Sequence, residues 1–136
     1  MRLLLAFVFA LLMPMAALAA DAEQKVEGLA TDSAKAWLGL VDAGKYSESW
    51  AQAGTEFRAN QTAKAWAATI RPVRVPLGAA VWRHPSGVVM QTSGLGAPDG
   101  ALVFFTTDFA HKKQVLEKLT MKLEGSAWKV TSYTFK

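Results

Sequence analysis

Residues 70–84 read IRPVRVPLGAAVWRH, and the character of the chain changes inside this run. Before it, Trp66, Ile70 and Val73 recur at helical spacing in a pattern that opens after Thr62, a residue type suited to cap a helix. After Gly78 come AAVWRHPSGVVMQT, ALVFFTTDFA, QVLEKLTMKLE and AWKVTSYTF, all rich in β-branched and aromatic residues. Pro72 removes a backbone donor and restricts Arg71, so it is expected to kink or end the helix. Pro76 and Gly78 then turn the chain into the first strand, and Leu77 anchors the corner.

Toward the N-terminus, Val26, Leu29, Trp37, Leu40 and Val41 mark one face of an amphipathic helix over residues 22–43, with Gly44 as its C-terminal cap. Ser47 is placed to cap a second, short helix that runs through Trp50 and ends near Gly54. Toward the C-terminus, the separators GLGAPDG, HKK and GS are short enough to join only neighbouring antiparallel strands. Helices first and strands afterwards predict an α+β domain, with N-terminal helices packed on one face of a curved antiparallel four-stranded sheet. Such a sheet wraps into a cone, and its cavity is the natural place for a site.

The first twenty residues, MRLLLAFVFALLMPMAALAA, have the layout of a secretory signal peptide: Arg2, an apolar run from Leu3 to Met13, Pro14, then small residues. Cleavage is expected near Ala19 or Ala20. The apolar run is roughly half the length a membrane span requires, so no anchoring is expected once the leader is gone. Residues 21–136 then form a single α+β domain, periplasmic or secreted. The chain has no cysteine, which excludes a disulfide framework and a lipid-modified cysteine. Its basic excess is small and scattered, with only Lys112 and Lys113 adjacent, so the clustered face of a nucleic-acid binder is missing.

Alternation along residues 115–123 puts Val115, Glu117, Leu119, Met121 and Leu123 on one face, which is read as inward. A buried Glu117 requires a partner, and Arg74 and Arg83 are the best placed. The meeting is a structural ion pair or the polar floor of a ligand pocket, or else Glu117 serves as a base. Asp42 and Tyr46, four residues apart, offer a weaker acid and base pair. Of the five tryptophans, Trp37 and Trp66 are in register with core residues, whereas Trp50 and Trp82 are open to a ligand role. The two histidines have no ligand spacing for a metal, the glycines of GLGAPDG precede no helix, and no nucleophile elbow occurs, so nothing calls for a cofactor.

WLGLVDAGKYSESW, Phe57, Trp66, RVPLG with Arg83, GAPDG, the Glu117 strand and the closing W-K-V-T-S-Y together resemble the bacterial family catalogued as domain of unknown function 4019. The resemblance covers roughly residues 34–135 and departs from the family pattern at Leu95 and Ala101. It implies a small exported protein with a nuclear-transport-factor-2-like or cystatin-like cone, and it implies no activity. The expectation is a non-enzymatic domain that binds a small molecule or protein through the cone, with Glu117, Arg74, Arg83, Tyr46, Trp50 and Trp82 as candidate contacts. Two alternatives are an isomerase or hydrolase using a cavity carboxylate, and a homodimer built on an outer sheet face bearing Phe105, Phe109, Tyr133 and Phe135.

Overall fold

The protein is described by a computed structural model covering residues 13–136. Most of the expected leader falls on residues 1–12, outside the described residues; residues 13–20 begin the first helix. Four helices come first: α1 (Met13–Asp42), α2 (Tyr46–Gln52), α3 (Thr55–Asn60) and α4 (Ala63–Arg74). A 3₁₀ turn (Val75–Leu77) leads into strands β1 (Ala80–Gln91), β2 (Gly100–Phe109), β3 (Val115–Glu124) and β4 (Ala127–Phe135). The strands form one antiparallel sheet in the order β1-β2-β3-β4, and the helices pack on one face of it. This is the α+β meander that the change at Gly78 announced. Among the described residues no helix is long and apolar enough to cross a membrane.

Local chemistry explains the end of α1 and the start of α4. Gly44 adopts φ 72°, and Gly44 N–H and Lys45 N–H donate to the carbonyls of Val41 and Leu40, a Schellman closure that ends α1 at Asp42. α2 begins one residue before Ser47, with Lys45 rather than Ser47 at the cap position. Thr62 does cap α4, accepting from Ala65 N–H at 3.1 Å. Pro72 neither kinks α4 into two pieces nor stops it there, because the helix runs on to Arg74. The buried residues of α4 are Trp66, Ile70 and Arg74, spaced by four, while Val73 is 46% exposed. The inward stripe therefore ends on an arginine rather than a valine.

Burial alternates along the sheet. Ala101, Val103, Phe105, Thr107 and Phe109 of β2 and Val115, Glu117, Leu119 and Met121 of β3 point at the helices. In β4 a register irregularity between Thr120 and Met121 leaves Thr131 unpaired, so Trp128, Val130, Tyr133 and Phe135 share the inner face. The expected outer aromatic face is thus reversed: Phe105 and Phe109 are fully buried, and Tyr133 and Phe135 pack against the core. The outer surface carries Trp82, Val89 and Leu116 instead. Inside, Trp37 stands 5.8 Å from both Phe57 and Trp66, centroid to centroid. Ser49 ties this cluster together, its carbonyl accepting from the Trp37 indole at 2.8 Å and its hydroxyl from that of Trp66 at 3.0 Å. Side chains fill the concave face here, which leaves the rim for a site.

Candidate functional site

Two polar residues of the sheet are fully buried, Thr107 on β2 and Glu117 on β3, and they are diagonal neighbours across the ladder. Glu117 is fully buried and flanked by Phe105 and Phe135. A carboxylate there is tolerable only if its lone pairs are used. They are: Oε1 accepts from Thr107 Oγ1 at 2.5 Å and from Arg83 Nε at 2.8 Å, and Oε2 accepts from the Tyr133 hydroxyl. Arg74 lies 4.0 Å from Oε2 and donates to the Tyr133 oxygen at 3.2 Å.

The second carboxylate is Asp42, the last residue of α1. Arg83 holds both of its oxygens, Nη1 to Oδ2 at 2.6 Å and Nη2 to Oδ1 at 3.0 Å, and Arg74 Nη2 also donates to Oδ1. Two arginines and two carboxylates therefore close a neutral quartet that joins α1, α4, β1 and β3. The Arg74 guanidinium also stacks 4.9 Å above the Phe109 ring, and its Nε–H is buried without a partner among the described residues.

Burial works against the ionised form of Asp42, but the hydrogen bonds and charges of Arg83, and then of Arg74, outweigh it and hold the carboxyl below its usual range. Arg83 shows the counterpart: desolvation lowers its pKa, yet Asp42 and Glu117 carry it above the ordinary arginine value. For Tyr133, burial and the Glu117 charge both push the phenol well above its usual value, so it serves as a donor.

Of the six candidate contacts, the structure brings together Glu117, Arg74 and Arg83. Tyr46 is buried on α2, with the Arg71 guanidinium 5.5 Å above its ring. It makes no pair with Asp42, because the Schellman turn at Gly44 redirects the chain and both arginines claim the carboxylate. Trp50 leans on the core and donates its indole N–H to Gln61 O at 2.7 Å. Trp82 is 55% exposed on the outer face, stacked parallel on His84 at 5.3 Å, and so faces away from the quartet. Sequence reading missed Tyr133 and Thr107 as partners. Thr107 was detectable as the one polar inward position of β2, whereas Tyr133 reaches Glu117 only because the β4 irregularity turns it inward.

Beside the quartet lies an open cleft of about 370 Å³. Asp42 and Arg74 form its polar side, and Val41, Tyr46, Val75 and Ala79 stand on its apolar side, the two sides contributing comparable surface. A second cleft of about 300 Å³, between α1 and β4, includes Leu29, Trp37 and Trp128 in its lining. Among the described residues no group of three or more His, Asp or Glu side chains is arranged to hold a metal ion.

Fold and site define a small α+β domain stapled at one rim by a buried charge quartet next to an open cleft. The family model described as "Protein of unknown function (DUF4019)" matches residues 33–133, and the chain belongs to that family. Neither a curated protein nor a solved structure matches the chain.

Proposed function

We propose that this chain is an exported, non-enzymatic binding domain that takes a small, largely apolar molecule in the cleft beside Asp42 and Arg74. The observation that carries this reading is that every oxygen of the two site carboxylates is already engaged by an arginine or a hydroxyl. General base catalysis needs a carboxylate free to reach a substrate proton, and neither group is free. What remains is a concave surface with small apolar walls and a few convergent polar atoms, the usual composition of a ligand site. The helices-on-sheet arrangement is compatible with the nuclear-transport-factor-2-like cone. Export rests on the leader layout of residues 1–20.

The test is thermal-shift and calorimetric screening of six- to ten-carbon alcohols, acids and amides against the wild type and Ala79→Phe, which narrows the cleft without touching the quartet. Binding to the wild type that is lost in Ala79→Phe supports the cleft. No response to any probe sinks it, and turnover of an ester or enolisable ketone that Glu117→Gln abolishes would overturn the non-enzymatic reading. Export is checked separately: the N-terminus of chain recovered from the cell exterior or periplasm should begin at Ala20 or Asp21.

A further inference from the structure

We infer that Asp42 is a built-in occupant of an anion site, and that the cleft's ligand is a monocarboxylate whose head displaces Asp42 from Arg74 and Arg83. The inference rests on the cleft reading above and adds the chemistry of the head group.

Three observations carry it. The first is charge balance. Glu117 is wholly buried, and with its three hydrogen bonds it is a fixed part of the interior, leaving the two arginines one positive charge in excess. Asp42 supplies the balancing charge, and one ligand carboxylate restores the same neutrality where a dianion overshoots it. The second is position. Asp42 keeps 21% of its side chain exposed and lines the cleft, whereas Arg74 and Arg83 are only 4% and 9% exposed. The group that can leave is on the wet side, and the groups that stay are behind it.

The third observation is the shape of the arginine pair. Arg83 presents two Nη donors as a fork to both Asp42 oxygens, and Arg74 adds a third bond from the side. That arrangement fits a planar carboxylate whatever chain carries it. Among the described residues Arg74 Nε–H has no partner in the buried guanidinium. A hydroxyl or amide head could accept one of these bonds, but it could not replace the charge.

The consequence is competition. While Asp42 occupies the fork, the fraction of chains ready to receive a carboxylate is small, and the apparent affinity is reduced by that fraction. Removing the internal charge lifts the penalty. Hexanoate and hexanol are the probes, differing in the head and not in the apolar chain, and they are titrated into the full mature chain and into Asp42→Asn. The expected result is that hexanoate binds the variant at least about tenfold more tightly than the wild type, in keeping with release of a mostly occupied competitor, while hexanol distinguishes the two chains little.

In the wild type, the ¹³C carboxyl resonance of Asp42 should move on adding hexanoate and stay in place with hexanol; this readout stands even if Asp42→Asn does not fold. If both probes bind alike and Asp42→Asn changes neither, the anion inference is overturned and the cleft reading survives. If neither probe binds either chain, both readings fall. An Asp42 resonance unmoved by hexanoate that does bind also overturns the inference, since the carboxylate then sits elsewhere.

Discussion

Glu117 is the residue on which the interior depends. A buried charge is costly by itself, so removing one member of the quartet exposes the others to that cost. Glu117→Ala leaves Arg83 Nε, the Tyr133 hydroxyl and the Thr107 hydroxyl without their acceptor and is expected to destabilise the fold by about 3–5 kcal/mol. Chemical denaturation with a constant m-value measures it, and an unchanged midpoint would mean Glu117 is not buried as described. Asp42 gives a different signature because its partners hold its pKa down in the folded state. Between the folded and the unfolded values the unfolded chain binds the extra proton. The contribution of Asp42 is therefore complete above about pH 4 and is lost as the pH falls through the folded value. The melting-temperature gap between wild type and Asp42→Asn should be widest above pH 5 and close as the solution is acidified toward pH 2. A gap independent of pH would show that the ionised form of Asp42 is not what the arginines hold.

At the scale of elements, the sequence was most legible where one local signal sufficed. Composition and short separators placed all four strands, alternation gave the inward face of β3, and Thr62 marked the start of α4. It failed where a distant residue or an irregularity made the decision. α3 went unseen because its first turn is satisfied from far along the chain: Glu124 accepts from Thr55 N–H at 2.7 Å, a capping contact between residues 69 positions apart. The inward turn of Tyr133 was hidden because a single unpaired residue, Thr131, reverses the alternation of β4. The site was thus legible as Glu117 with two arginines and illegible as a closed network.

The joint after α4 shows the same split, since Gly78 was read as a turn but its close neighbour was not foreseen. Gly78 sits at φ 75° and ψ −164°, a conformation close to glycine-only, and an added Cβ would lie 2.9 Å from the His111 ring. Gly78→Ala should cost about 1–3 kcal/mol in backbone strain, with the ring contact added. His111→Ala in the same chain should recover the ring contact, but neither the strain nor the 3.0 Å approach of the added Cβ to Ala110 Cβ. Full recovery in the double variant would mean that the backbone at Gly78 is unstrained.

For the whole molecule, α1 decides how much chain the fold needs. At 1.5 Å per residue its 30 residues span about 45 Å, yet its packing is confined to the C-terminal part. Residues 15–25 are all exposed, Val26 is the first partly buried position, and Ala30 is the first wholly buried one. From there Ala34, Trp37, Leu38 and Val41 carry the helix across the sheet and deliver Asp42 to the two arginines. Isolated helical turns are marginal in water, and helices in proteins draw most of their stability from packing. The exposed turns therefore contribute little to the cooperative unit. A chain starting at Asp21 is expected to melt within about 2 °C of the full chain, because a loss below about 0.5 kcal/mol shifts the transition of a domain this size by only that much. Matched melting temperatures, with the same dependence on Asp42 in both chains, would show that the expected leader can be removed without loss to core or quartet. A drop of 5 °C or more would mean that residues before Asp21 take part in the folded domain, and the boundary drawn there would have to move.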